Sequence, residues 1–401
     1  MVGALIRQLR MERNYSQAGL AHGICAASYL SKIEQGQAEA SPEILDRLFA
    51  ALGVTYCRDP LLLSQAEERL SLWFETWDQE EDGSISAAWL DARLEQLLFS
   101  DLCLTVRIYQ VCRIQDKQQA RLLLSELKHS YDRMTLEQRY RYLLAAVSLE
   151  PDPQISLDLL HQAAHCKSCG HVWLQIAYVC YHIGSYSRCI EHANRAYSLA
   201  AEEGDLYVLI GSSYLLGTCY TDRDLDAAER YYRRAIRLGK TTRPQLLSMA
   251  AYNLGASCLE WGKPEKAVEW LERSDLIPDA FGHNLLLEQK RALAYLAVGR
   301  PEDAAHALAR AETFLSELQH TQSEFCCLYQ KMLLFARLLL ERQEHTPAFE
   351  QVTSELYHQT GYPFGFGFRR FYGLYLVRYY RSQRRYKDAL QIMEDIQDRI
   401  S

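Results

Sequence analysis

The 401-residue sequence has no apolar run approaching the roughly 18 residues that a membrane-spanning helix needs, so no span is expected. It lacks an excess of basic charge. The net charge is −7, which excludes a chain that holds nucleic acid through bulk charge alone. It lacks the layout of a signal peptide: its first residues, VGALIRQLRMERN, read as helix, and a cytoplasmic location is expected. Its 12 cysteines have no evenly spaced framework, and most fall in helical patterns, as small apolar residues do. That fits a reducing compartment better than an export route. No glycine-rich phosphate loop, HExxH pair or nucleophile elbow occurs. With no catalytic constellation, neither an enzyme nor a cofactor is expected. What remains is an ordinary globular composition, 48% hydrophobic and 24% charged, long enough for two or three domains.

The most informative stretch is Ser16 to Gly36, SQAGLAHGICAASYLSKIEQG. Ser16 is a good N-cap for a short helix from Gln17 to His22, and Gly23 punctuates the chain. A second helix is expected from about Ala26 to Gln35, ending at Gly36. Leu20, Ala21, Ile24, Leu30 and Ile33 can share one small core, which leaves Ala26, Ala27, Ser28, Tyr29 and Lys32 as the outward candidates. Two short helices around a tight turn form a helix-turn-helix, whose second helix enters the major groove of duplex DNA. The helix before it buries Leu5, Ile6 and Leu9. A helix after it starts at Ser41-Pro42, continues the core with Ile44, Leu45, Leu48 and Leu52, and ends at Gly53. The DNA-binding unit thus spans residues 1–56, with five basic and five acidic side chains. A net of zero predicts weak non-specific binding, so specific binding rests on local contacts doubled by a homodimer.

These residues resemble the helix-turn-helix of phage-repressor-like regulators, through Ser16-Gln17, Leu20-Ala21, Ser31, Ile33-Glu34 and Gly36. The span from Leu20 to Glu34 is one residue shorter than in most of that family, the shortening falling at Ile24-Cys25. That variant resembles the RRNPP group of peptide-responsive regulators of Gram-positive bacteria, in particular its PlcR-like branch. Gly19 departs from the pattern, standing where an acid usually completes a capping box. The resemblance implies that Arg10 pairs structurally with Glu34, that Gln17 holds a phosphate, and that Lys32, Tyr29 and Ser28 face the bases.

Residues 57–134 read as an irregular helical connector or the first solenoid helices, with one helix from near Pro60 to Trp77. The segment DQEEDGSISAAW, residues 78–89, starts like a calcium loop with Asp78, Glu80, Asp82 and Gly83. Its twelfth position is Trp89 rather than a bidentate Glu, and Asp91 falls two residues too late, so it reads as an acidic turn. His165, Cys166, Cys169 and His171 place four candidate ligands within seven residues. Zinc sites need a spaced second half that is missing, and no strand pattern supports a redox CxxC. No metal is expected.

From Thr135 to the end, residues 135–401, the chain repeats. Six segments set a small residue five positions after a turn residue: Cys189, Ala228, Ala267, Ala304, Ala348 and Ala389, spaced 39, 39, 37, 44 and 41 residues apart. An earlier pair spans Thr135 to Ala164, giving about seven helix pairs. The segments Leu216-Gly217-Thr218-Cys219-Tyr220 and Leu254-Gly255-Ala256-Ser257-Cys258 resemble the tetratricopeptide signature, with helices lengthened as in the RRNPP group. The fold class is therefore all-α, a helix-turn-helix followed by a tetratricopeptide-like α-solenoid. Repeat interfaces can absorb the 26 tyrosines. The aromatic and basic stretch at 362–386 is expected to pack in the last repeat, with an extension of the solenoid's groove, a dimer contact or a cap on the solenoid as the other readings; adjacent Arg369 and Arg370 cannot both face inward.

The resemblance also implies that inner-helix asparagines clamp a short signalling peptide. Asn253, in Tyr252-Asn253-Leu254-Gly255, matches that motif, and an amide supplies both donor and acceptor. Repeat spacing adds Gln175 as a second amide, Tyr214 in the intervening repeat and Lys290 as a partner for a carboxylate. A polar contact between helices is the other reading of Asn253. The expected function is a peptide-controlled, DNA-binding transcription regulator of quorum sensing. The alternative is a solenoid of the same superfamily that acts on a signalling protein, as its phosphatase-like branch does.

Overall fold

A computed structural model describes residues 2–221, 223–240, 242–320, 325–359 and 366–397. The chain is 77% helical, and the described residues contain no strand, the all-α class that the sequence predicts. It divides after Ile183 into two compact units.

The first unit opens with α1 (Val2–Glu12), α2 (Gln17–Ala21), α3 (Ala27–Glu34) and α4 (Pro42–Ala51). Five further helices follow: α5 (Pro60–Asp78), α6 (Ser84–Asp91), α7 (Leu94–Leu98), α8 (Cys103–Arg113) and α9 (Lys117–Lys128), then a short 3₁₀ turn at Tyr131–Arg133. It ends with α10 (Leu136–Leu149), α11 (Pro153–Cys166) and α12 (Gly170–His182). Starts are set by side-chain caps. Ser41 accepts from the Ile44 amide and Asp59 from Leu61 and Leu62. Thr135 and Gln138 form a reciprocal capping box. Tyr56 closes the first four helices: its ring stacks on buried Phe49 at 4.6 Å, and its hydroxyl donates to Asp101 at 2.7 Å. The connector is held by Trp73 edge-on to Tyr109 at 4.7 Å and by a buried ion pair between Arg141 and Asp78 at 2.6 Å.

The second unit contains α13 (Tyr186–Glu203), α14 (Leu206–Tyr220), α15 (Leu225–Gly239), α16 (Pro244–Glu260), α17 (Pro264–Glu272) and α18 (Phe281–Ala297). It continues through α19 (Pro301–His320), α20 (Cys326–Leu340), α21 (Pro347–Tyr357), α22 (Phe366–Ser382) and α23 (Tyr386–Gln397). Among the described residues α10 to α23 are fourteen helices, the number that the expected seven pairs require. Cys189, Ala228, Ala267, Ala304 and Ala389 are buried at helix crossings. Ala348 is exposed instead, because the turn from Arg342 to Thr346 is longer and the buried place passes to Phe349. An aromatic cluster ends the unit: Phe335 lies 4.9 Å from Tyr372 and 5.0 Å from Tyr375, so the stretch at 362–386 does pack in the last repeats, its residues 362–365 lying outside the described residues. Arg369 and Arg370 diverge as adjacency requires, Arg369 over Tyr357 and Arg370 over Trp261.

Close crossings are possible only where side chains are missing. A methyl group on Gly255 would lie 2.6 Å from Leu271 Cγ and 3.2 Å from the Leu271 backbone nitrogen. Gly217 stands in the same way against the Tyr232 ring, at 2.8 Å. In Gly255→Ala two effects compete: alanine gains roughly 0.5–1 kcal/mol of helix propensity, and overpacking costs about 1–3 kcal/mol. Because Leu271 Cγ, near the root of its side chain, and the Leu271 backbone nitrogen behind it both block the methyl group, a net loss of about 1–2 kcal/mol is expected in denaturant titration. A gain in stability would show that α17 withdraws freely from α16.

Candidate functional site

The helix-turn-helix forms as its sequence dictates. Ser16 Oγ accepts from the Gly19 amide at 2.9 Å, and Gly23 takes φ +71° in the turn. Leu20, Ala21, Leu30 and Ile33 are buried, and Ile24 at the shortened turn is half-buried. Behind α3 the Glu34 carboxylate is 1% exposed. Arg10 meets it with two hydrogen bonds, 2.6 and 2.9 Å, and Gln17 Nε2 adds a third at 2.8 Å. Burial pushes the Glu34 carboxyl up, but the hydrogen bonds from Arg10 and Gln17 outweigh it, and the net shift is downward. α1 also passes so close to the end of α3 that a methyl group on Gly3 would overlap the Ile33 carbonyl oxygen at 1.8 Å. Ion pair and close approach together fix the attitude of α3.

On the other side of α3, Ala26, Ala27, Ser28 and Lys32 are exposed. Two candidates are placed otherwise than the sequence reading supposed. Gln17, expected on a phosphate, is half-buried and gives one Nε2–H to Glu34, since a buried carboxylate oxygen left without a donor is costly; its second amide hydrogen and its Oε1 are not used in that bond. Tyr29 is half-buried, and its hydroxyl donates to the Glu39 carbonyl at 2.7 Å, tying α3 to the segment before α4.

In the first unit Gln175 is half-buried on α12. In the second unit Asn253 on α16 donates through Nδ2 to the Tyr214 hydroxyl on α14 at 2.8 Å. This is a polar contact between inner helices, and it leaves Asn253 Oδ1 as an acceptor. Burial pushes the Tyr214 phenol up to about 12. Tyr252 packs edge-on to His283 at 5.2 Å, and burial raises its phenol as well. Lys290 does not stand open to a groove. It is buried, with its ammonium 4.2 Å from the centre of the Phe371 ring. Burial lowers its pKa, and Glu260 opposes that shift. The reason is tertiary: Phe371, on α22, brings its ring over the ammonium.

A cavity of about 1000 Å³ opens beside these residues, between the C-terminal ends of α16, α18 and α20 and the flank of α22. Trp261, Phe371 and Tyr375 give it aromatic walls, and Arg370, Arg378, Glu260 and Glu344 give it charges of both signs. Sequence reasoning does not place this cavity, although extension of the groove is among its readings of the aromatic and basic stretch at 362–386.

The residues weighed as metal ligands serve other partners. Asp78 pairs with Arg141, Asp82 accepts from the Ser84 amide, and Asp91 accepts from Tyr109. Cys169 meets the Tyr140 hydroxyl at 3.4 Å. Among the described residues no group of three or more His, Cys, Asp or Glu side chains could hold an ion.

Fold and site together define a helix-turn-helix protein with a C-terminal helical-repeat body. Residues 6–58 match the family model described as Helix-turn-helix, and residues 140–168, 207–240 and 248–274 match the Sel1 repeat. The fold is shared with the apo form of the quorum sensor NprR from B. thuringiensis: TM-score 0.60, 15% identity, 85% of this chain and 100% of that one. It is shared with NprR in complex with its cognate peptide NprX (TM-score 0.52, 15% identity, 83% and 97% covered). A Rap protein complexed with Competence and Sporulation Factor also has it (0.57, 12%, 84% and 97%). None of the curated proteins matches in sequence. The resemblance to the RRNPP group therefore holds at the level of fold.

Removing one partner of the buried pair behind α3 leaves the other charge without compensation. Arg10→Ala is expected to cost about 3–5 kcal/mol, read from unfolding of the first unit. The lowered Glu34 pKa gives a pH sign. Its contribution is fully present above the unfolded value of about 4.3 and is lost as pH falls through the lower folded value. Glu34→Gln should therefore flatten the acid-side loss of stability, and an unchanged acid limb would place that loss on other carboxylates.

Proposed function

We propose that this chain is a DNA-binding transcription regulator of the RRNPP type, whose repeat body binds a short signalling peptide in quorum sensing. The observation that carries this reading is the exposed Ala26, Ala27, Ser28 and Lys32 face, held rigidly from behind by Arg10, Glu34 and Gln17. It stands in a chain whose fold is also that of NprR, which has been solved with its peptide NprX. Residues 1–56 carry no net charge, so two copies acting as a homodimer supply the contact set that one head lacks. A duplex-DNA target makes the cytoplasm its place of action.

The cavity beside α22 is the peptide site in this reading. Asn253 and Glu260 lie on one stripe of α16, seven residues or about 10 Å apart. About three extended peptide residues cover that distance. A peptide seated by the cavity's aromatic walls and charges would reach Asn253 Oδ1 with a backbone N–H, near Tyr214 and Tyr252. To control DNA binding it must bind one arrangement of the regulator better than another.

Gel shift on genomic fragments tests the DNA half. Lys32→Ala combined with Ser28→Ala should weaken specific binding by about 1–3 kcal/mol if the pair reads bases. Unchanged binding would refute the assignment of α3. Calorimetry with peptides extracted from spent culture medium tests the other half. Asn253→Ala should lose the heat of binding while keeping basal DNA binding, and equal affinity in both proteins would move the peptide elsewhere.

A further inference from the structure

The second unit carries a feature that DNA recognition by α3 and the peptide cavity leave unused. Along α15, Arg230, Arg233, Arg234 and Arg237 recur at helical spacings of three and four, which puts them on one stripe. Lys240 and Arg273 extend it beside a groove of about 760 Å³ formed by α15, α16 and α17. Like charges at such spacing oppose helix formation. The stripe is not needed for burial, since Leu225, Ala228, Tyr232 and Ala235 on the other face of α15 are buried and supply the packing. Arg233 is paired with Glu229, and Arg233 and Arg273 both lie on the Trp270 ring, at 4.7 and 4.8 Å. Arg230, Arg237 and Lys240 are exposed and make no ion pair among the described residues. Between these cations Ile236, Leu247 and Ala251 against Trp270 give an apolar floor, and the lining also holds Ser248 and a single carboxylate, Asp275.

We propose that this groove docks an acidic polypeptide segment of a partner protein, one that alternates carboxylates with apolar side chains. Arginine forks suit carboxylates because two parallel N–H···O bonds match their geometry. A sequence of bare carboxylates would leave the floor empty, and so would a phosphate backbone tracking over the rim. Apolar side chains between the acids fill it, which is how interface cores and rims are divided. The charge complementarity is local, since the chain as a whole has a net charge of −7.

The test uses the full chain and a fluorescently labelled peptide of alternating glutamate and leucine, with a glutamine–leucine peptide of equal length as control. Anisotropy should show the glutamate peptide bound, the control unbound, and affinity falling as salt rises. Arg230→Glu with Arg237→Glu should weaken binding roughly tenfold or more. Because both side chains are exposed, circular dichroism and thermal melting of this variant should match wild type. Equal affinity of variant and wild type overturns the proposal, as does binding of the glutamine control. A variant that loses affinity for random duplex DNA while keeping the peptide overturns it too, and assigns the groove to nucleic acid.

Discussion

Helices of the second unit approach until no side chain fits between them, and its architecture depends on that closeness. Gly217 against Tyr232 and Gly255 against Leu271 let the first helix of a pair lie directly on the second. The buried small residues from Cys189 to Ala389 repeat the device along the unit. With each pair that thin, successive first helices become neighbours. α16, α18, α20 and α22 then surround common ground: Arg370 reaches Trp261, Phe371 covers Lys290, and Phe335 meets Tyr372. The large cavity is what remains where their ends diverge.

Buried charge does the positioning that apolar packing cannot. Apolar contacts are non-directional, whereas a carboxylate with forked donors admits few geometries. Glu34 is held by Arg10 and Gln17 behind α3, and Asp78 by Arg141 in the connector. Glu288, fully buried on α18, takes Arg291 and Arg310. Arg291 also donates to the carbonyls of Leu271 and Ser274, tying the irregular link after α17. For Glu34 and Glu288 the desolvation cost is offset because each carboxylate oxygen has a donor, whereas Asp78 Oδ1 is buried without a hydrogen bond, 3.7 Å from His171 Nε2. Such groups therefore specify an arrangement more than they stabilise it.

Most helix boundaries were legible because they rest on local chemistry. Ser16, Ser41 and Thr135 cap the helices their positions announce, and turn residues such as Gly23, Gly262 and Gly299 take the left-handed conformation. The pairing of Arg10 with Glu34 was legible through resemblance. The side-chain roles of Gln17 and Tyr29 were not, since their partners, Glu34 and the Glu39 carbonyl, come from elsewhere in the sequence. Repeat arithmetic put Asn253 and Tyr214 in register, and they do meet. The same arithmetic could not reveal that Phe371 would cover Lys290, because it counts along neighbouring repeats and α22 arrives from a later one. It also misplaced Ala348, where a longer turn shifted the crossing to Phe349.

The sequence by itself determined the all-α class, the helix-turn-helix near the N-terminus, the count of helix pairs and the small residues at their crossings. These follow from periodicity, caps and side-chain volume, which are properties of short stretches. Tertiary structure alone decided which polar groups remain free, which are consumed inside, and where empty volume and unpaired charge collect. Those outcomes depend on contacts between residues distant in the chain, and burial converts each such contact from a surface choice into an obligation to find a partner.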